Sequence, residues 1–192
     1  MTRQRVAKKE AFCLPWTQVI LGTSYHGRTN WMALAWVTRV NFSPALIGIT
    51  VGRNHASHEA LEATGAFGLS VPSVDQREHT DCVGLLSGRD RDKSELLGEI
   101  FRGELADAPM VKACPLSLEC RVVQKVDLPT NTFFIAEIVN LWAEEDVLTD
   151  GMPDASKVRP FLLTMPDNRY WSLGEPIGQA WSDGAALADR LK

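Results

Sequence analysis

Residues 30–61 read NWMALAWVTRVNFSPALIGITVGRNHASHEAL, and the order of patterns within them carries the strongest folding signal in the chain. Met32 to Val40 is rich in Trp, Val, Thr and Met, which suits a strand. Asn41-Phe42-Ser43-Pro44 is turn chemistry, because Asn and Ser bond back to the backbone and Pro presets its own φ. Ala45 to Val51 is a nearly unbroken apolar run, the pattern of a strand buried on both faces. Gly52 to Ser57 then turns the chain. Ser57 is the expected N-cap of a helix over His58–Thr64, and Gly65 supplies the left-handed residue that commonly ends one.

This order sets Arg53, Asn54 and a capping hydroxyl around the free N–H groups of a helix N-terminus. Such a place favours a phosphate, since orphan donors and the helix dipole both attract negative charge. An ordinary capped surface helix with a solvated arginine fits the same residues, and capped helices are far commoner than anion sites.

Working outward, Trp16–Leu21 reads as a first strand after an arm or short helix over residues 1–14, and Thr23–Thr29 as a polar connection. Gly22-Thr23-Ser24-Tyr25-His26-Gly27-Arg28-Thr29 is one residue short of a P-loop. Arg28 stands where the loop needs a compact lysine charge, and a strand-like rather than helical sequence follows, so a nucleotide hydrolase is disfavoured. Phe67–Val71 is another buried strand. Ser73 and Gln76 have capping-box spacing for a helix through Leu86, on which His79 and Cys82 lack the third group that a catalytic pair needs.

Ser87-Gly88-Arg89-Asp90-Arg91-Asp92-Lys93 is a charged loop, by itself a solvated turn, and its two aspartates are too few oxygen ligands for a cation. Ser94–Arg102 has a helical pattern. Leu116–Val126 and Thr132–Ala143 are long strands joined at Asp127–Asn131 as a hairpin, with Glu144–Asp146 a solvated edge. A loop over Asp150–Arg159, a final strand over Phe161–Thr164, an irregular aromatic stretch over Arg169–Pro176 and a helix over Asp183–Leu191 complete the chain. Strands at this spacing with two or three helices predict a mainly β protein with some α: a closed antiparallel barrel with helices packed over its ends. With 192 residues, no repeat and no linker, one domain is expected.

A hydrophobic content of 45% with 23% charged residues is ordinary for a globular chain. A formal charge of −4 argues against nucleic acid or an anionic membrane as the main partner. The four cysteines form no C-x-x-C pair and read as thiols in a reducing compartment. The N-terminal segment is a poor signal core, which makes the cytoplasm the expected location. There is no G-x-G-x-x-G fingerprint and no G-x-S-x-G elbow.

The order of motifs resembles the flavin reductase-like, FMN-binding split-barrel family, specifically its flavoredoxin branch. The matching residues are Asn30, Ala33–Thr38, Ser43-Pro44, Arg53 and Ser57-His58-Glu59, followed by Val71-Pro72-Ser73, Ser87–Lys93, Cys114-Pro115, Leu118-Glu119-Cys120 and Arg169–Gly174. The resemblance implies a split β-barrel that binds FMN, with FAD as an exchangeable alternative and the chemistry residing in the flavin. It implies phosphate contacts from Arg53, Ser57 and Lys93. Asn30, Trp36, Val37 and Thr38 would flank the ribityl chain and ring, with backbone groups of Trp36–Thr38 bonding the flavin's polar edge. It further implies a homodimer that takes hydride from NAD(P)H and passes electrons to free flavin, ferric iron or a protein acceptor. The alternatives are an electron carrier with tightly held FMN and no nicotinamide turnover, or a scaffold without flavin. Arg53 and Ser57 stand where members often carry Lys and Thr, which keeps charge and hydroxyl. Trp16 and Gln18 replace small aliphatics in the opening strand.

Overall fold

A computed structural model describes residues 2–8 and 13–191. Of the expected arm over residues 1–14, positions 2–8, 13 and 14 are described and exposed; positions 1 and 9–12 lie outside the described residues. The elements in order are β1 (Trp16–Thr17), β2 (Val19–Tyr25), β3 (Arg28–Leu34), β4 (Val37–Asn41), β5 (Leu46–Gly52), α1 (Ala56–Thr64), β6 (Ala66–Val71) and α2 (Arg77–Leu85). There follow β7 (Ile100–Phe101), β8 (Met110–Val111), β9 (Leu116–Asp127), β10 (Asn131–Ala143), β11 (Leu148–Thr149), β12 (Met152–Pro153), α3 (Ala155–Val158), β13 (Phe161–Thr164), β14 (Arg169–Ser172) and α4 (Ala185–Asp189).

The main sheet has seven antiparallel strands in the order β3-β2-β6-β9-β10-β5-β4. It is built on the β9–β10 hairpin, which turns between Asp127 and Asn131 as the sequence predicts. Its inner face carries Val19, Leu21, Ile49, Val51, Phe67, Leu69 and Phe134, all buried in one cluster with Leu61 of α1. The outer side of β2 and β3 is covered too. Ile20 and Trp31 are buried there with Val83 of α2, which is why β2 reads as a continuous apolar run rather than an alternating one.

Several sequence expectations need correction. The strand expected over Met32–Val40 is two strands, broken at Ala35-Trp36, because β3 pairs with β2 while β4 pairs with β5. That break leaves β3 and β4 at opposite ends of the ladder with no pairing between them among the described residues. The expected closed barrel is therefore not found as a closed ladder. The polar connection over Thr23–Thr29 is a hairpin: β2 runs to Tyr25, His26 and Gly27 turn with positive φ, and Arg28 starts β3. A strand–turn–strand has no helix N-terminus for a nucleotide phosphate, which removes the P-loop resemblance.

On β5 the core-facing side chains are Ile49 and Val51, both fully buried. The opposite face carries Gly48, under the Phe133 ring, and half-buried Thr50. Ser94–Arg102 forms turns and β7 instead of a helix, since Ile100 and Phe101 pair with β8. The loop over Asp150–Arg159 contains β12 and α3, capped by Asp154 Oδ1 accepting from the Ser156 N–H at 2.8 Å. Phe161–Thr164 is not the last strand. β14 pairs with it antiparallel, and the Tyr170 hydroxyl of β14 donates to Asp81 of α2 at 2.6 Å. The C-terminal helix shrinks to α4, with every residue from Trp171 to Leu191 exposed.

The four cysteines are free, and burial pushes the Cys114 and Cys120 thiols up to about 12, which makes them packing groups rather than reactive ones. No helix among the described residues is long and apolar enough to cross a membrane.

Glu119 on β9 is buried, with Oε1 accepting from the Leu105 N–H at 2.5 Å and Oε2 from Asn140 Nδ2 at 2.9 Å. Burial by itself raises its carboxyl. Hydrogen bonds from Asn140, the backbone of Leu105 and Glu104 and the Trp142 side chain outweigh this and hold it below its ordinary value. A carboxyl lowered on folding stabilises above the unfolded carboxylate range, and that contribution is lost as pH falls through the folded value. Glu119→Gln is therefore expected to destabilise the fold by about 1–3 kcal/mol at neutral pH, with the gap to the parent narrowing below about pH 4. Urea denaturation of both proteins across a pH series measures this.

Candidate functional site

Because β3 is a sheet end, one side of it carries backbone N–H and C=O groups with no ladder partner among the described residues. A cleft of about 280 Å³ lies against it, lined by Asn30 to Ala33 of β3, the turn into α1 and the segment from Val83 to Gly88 that ends α2. Asn30 and Ser57 meet at its floor: Asn30 Nδ2 donates to Ser57 Oγ at 2.9 Å, and the two residues are 5% and 1% exposed. Ser57 is therefore not the N-cap. That place belongs to His55, whose Nδ1 lies 3.1 Å from the Gly52 carbonyl, while Ser57 sits inside the first turn. Asn30 took the hydroxyl that the capping pattern assigned to the backbone, because the tertiary fold brings β3 beneath the helix start. At the other end Gly65 caps as expected, with φ of 63° and its N–H on the Leu61 carbonyl.

Asn30 Oδ1 has no hydrogen-bond partner although it is buried. The Ser87-Gly88 backbone passes so close that a Cβ on Gly88 would stand 2.0 Å from it, so only glycine fits there. A buried, unpaired acceptor in a cleft suits a ligand hydroxyl.

Lys93 lines the same cleft and is 4% exposed. Its Nζ donates to the carbonyls of Val83 and Leu86, both at 2.9 Å, and so closes the C-terminal end of α2, where the helix dipole favours a cation. Burial lowers its pKa. No carboxylate lies within ion-pair distance of it among the described residues, so a desolvated ammonium faces the cleft with one donor to spare. The loop that carries it is held from outside. Arg28 Nη1 lies 3.2 Å from Asp92 Oδ2, and Asp92 Oδ1 accepts from the Ser94 N–H and hydroxyl, bonds that hold the Asp92 carboxyl low.

Trp36, Val37 and Thr38 line a second recess of about 290 Å³ with Trp16, Thr50 and Phe133. The β4–β5 register puts Thr38 opposite Gly48 and Val37 opposite Ile49, so Thr38 shares the outer face with Thr50 and Phe133. Trp36 is 39% exposed, and its carbonyl accepts from the Thr50 N–H at 3.0 Å. Ala33 of the first cleft and Trp36 of the second are three residues apart, about 10 Å of extended chain at most, which one elongated ligand can span.

Arg53 departs from the expected group. Its guanidinium is 3.4 Å from Asp127 on the β9–β10 hairpin, its N–H donates to the Thr130 carbonyl, and it lines neither recess. The structure thus brings together Asn30, Ser57 and Lys93, sets Trp36 to Thr38 beside them, and leaves Arg53 outside. Arg89, which sequence reasoning passed over inside a charged loop, lies nearer: Nε donates to the Asn54 carbonyl at 3.2 Å and Nη1 pairs with Glu59 Oε2 at 3.0 Å. Glu59 also holds His26 Nε2 at 3.1 Å. No cluster of three or more His, Cys, Asp or Glu that could hold a metal occurs among the described residues.

Ser57→Ala leaves Asn30 Nδ2 buried without its acceptor, and a loss of about 1–3 kcal/mol is expected. Equilibrium denaturation of the variant against the parent checks it.

The chain is similar to proteins of known structure over nearly its whole length. The flavoredoxin from Methanosarcina acetivorans superposes with a TM-score of 0.93 and 42% identity, over 97% of this chain and 100% of that one. The flavoredoxin of Desulfovibrio vulgaris (Miyazaki F) gives 0.86 and 29%, over 95% and 100%. An uncharacterized protein of Archaeoglobus fulgidus is 32% identical over 128 residues, 66% of this chain and 72% of that protein. Residues 12–169 match the family described as flavin reductase like domain, and the chain belongs to that family.

Proposed function

We propose that this chain binds FMN and serves as a flavin-dependent oxidoreductase. The observation that supports it most is the buried Lys93 ammonium, without a carboxylate partner, sharing a cleft with the unpaired Asn30 oxygen along the free side of β3. A polyhydroxylated, anionic, elongated cofactor answers each of these: hydroxyls for Asn30 Oδ1, negative charge for Lys93 and the α1 N-terminus, and a flat ring for the Trp36–Thr38 recess. Ser57 holds Asn30 in place, and backbone groups at the start of β4 bond the ring's polar edge. FMN, when bound, supplies the hydride- and electron-accepting chemistry; the protein binds, orients and excludes water. The fit accounts for a site without a nucleophile or a catalytic pair.

In the enzymatic form, NAD(P)H is the donor and free flavin, ferric iron or a protein is the acceptor. A carrier with tightly held FMN and no nicotinamide turnover is the second reading, favoured by the likeness over nearly the full chain to two flavoredoxins. We further propose a homodimer, for which the exposed Trp171, Ile177 and Trp181 of the C-terminal segment offer apolar surface. Light scattering that returns a stable monomer would refute it.

Purified protein is expected to carry or take up FMN, seen in its absorption spectrum and by titration with FMN and FAD. Lys93→Gln is expected to weaken FMN binding by about 10- to 100-fold, the worth of a hydrogen bond to a charged group. Anaerobic mixing with NADH or NADPH separates the two readings. Rapid bleaching of the flavin marks the enzyme, and bleaching only with a chemical or protein donor marks the carrier. A preparation that takes up no flavin at saturation defeats both.

A further inference from the structure

We propose that the cavity on the inner side of β4 is a binding site for a small apolar carboxylate, an acyl or arylalkyl acid, with Arg39 taking the carboxylate. The proposal is independent of the flavin reading. The cavity, of about 460 Å³, shares only Val37 and Thr38 with the recess on the outer side of the same strand. Its volume falls within the ~300–1,000 Å³ of ordinary small-molecule pockets.

The cavity follows from how the main sheet ends. Among the described residues β4 pairs only with β5, so nothing in the ladder joins it to β2. The space left there is floored by Val19, Leu69 and Val71 of the main core, with Ile47 and Ile138 beside them. Such a floor favours hydrocarbon, because contact with it removes apolar surface from water.

One charge stands at the rim. Thr38 shares the outer face with Thr50, so Arg39, the next residue of the strand, points to the inner one and lines the cavity. The β4–β5 register shifts between Arg39 and Asn41, the kind of bulge that re-aims a neighbouring side chain. Arg39 Cζ lies 5.0 Å from the centre of the Phe42 ring, a contact that orients the guanidinium and spends none of its N–H donors. Arg28, Arg53 and Arg89 each have a carboxylate partner, whereas none lies within ion-pair distance of Arg39 among the described residues. A planar fork with unspent donors at the rim of an apolar cavity matches a single carboxylate, which it holds through two parallel hydrogen bonds. One guanidinium compensates one charge; a phosphate dianion would leave a second charge facing apolar groups.

The test titrates the full chain, stripped of flavin, with octanoate and phenylpropionate by isothermal calorimetry at neutral pH, with octanol as the uncharged control. The parent is expected to bind at least one of the acids about 10- to 100-fold more tightly than octanol, the worth of a hydrogen-bonded charge. The preference between the acids reports whether the cavity takes a chain or a ring. Arg39→Gln is expected to remove that margin while octanol affinity stays within about twofold, and Arg39→Lys to keep part of it. Ala45→Trp, at an exposed position lining the cavity, fills it and is expected to remove binding of acids and alcohol alike. The proposal is overturned if the parent binds neither acid, if octanol binds as tightly as the acids, or if Arg39→Gln or Ala45→Trp binds the acids as the parent does. Acid binding that appears only in dilute monomer and is lost on self-association assigns the cavity to a second copy and overturns it as well. None of these outcomes depends on flavin uptake, so failure here leaves the flavin reading standing.

Discussion

The hydrogen bond from Asn30 Nδ2 to Ser57 Oγ ties an end strand of the sheet to the first turn of α1, and the cleft takes its shape from that tie. Both residues are buried, so neither can exchange its partner for water without the full desolvation penalty. With Asn30 held this way, its Oδ1 lies against Gly88 and stays unpaired, while the start of α1, Ala56 and Ser57, lines the cleft beside it. A sheet end is ordinarily a hazard, since its unpaired backbone groups invite another strand. Here α1 and the end of α2 stand over that side of β3 and leave a slot suited to a flat, elongated ligand rather than to a strand.

Charge is arranged in two layers around the slot. The inner one is Lys93, desolvated, with two of its donors spent on the carbonyls of Val83 in α2 and Leu86 just past its end. Its folded-state pKa is lowered by burial, so ionisation costs stability that an incoming anion offsets. Farther out the charges are exposed and paired: Arg28 with Asp92 and Arg89 with Glu59, while Arg53 is turned away from the slot to Asp127. Exposed pairs of this kind contribute little stability individually. Their effect is to set the direction in which each guanidinium points, and that direction separates Arg89 from Arg53.

Much of this was legible in the chain. The β9–β10 hairpin, β6, the Gly65 cap and the helix from the Ser73–Gln76 box follow from local periodicity and turn chemistry, which act over a few residues and survive in any context. The ordered motifs likewise identified the flavin reductase-like family, which the family match over residues 12–169 bears out. The break at Ala35-Trp36, the hairpin at His26-Gly27 and the strand character of Ile100-Phe101 were not legible, because each is fixed by pairing with the adjacent strand, β5, β2 or β8, and residue composition alone does not show where such pairing begins and ends.

The sequence by itself determined which residue types could form an anion-binding, ring-holding site and in what order they come. Only the tertiary structure decided which of them meet: Asn30 with Ser57 across 27 positions, Lys93 with α2, Arg89 with Asn54 across 35. It also decided that Arg53 leaves the group and that Ser57 does not cap its helix. The reason is that hydrogen bonds and ion pairs are short-ranged and directional. A motif fixes the partners a side chain is able to take, while the sheet register and the path of each loop fix the one that lies within 3 Å.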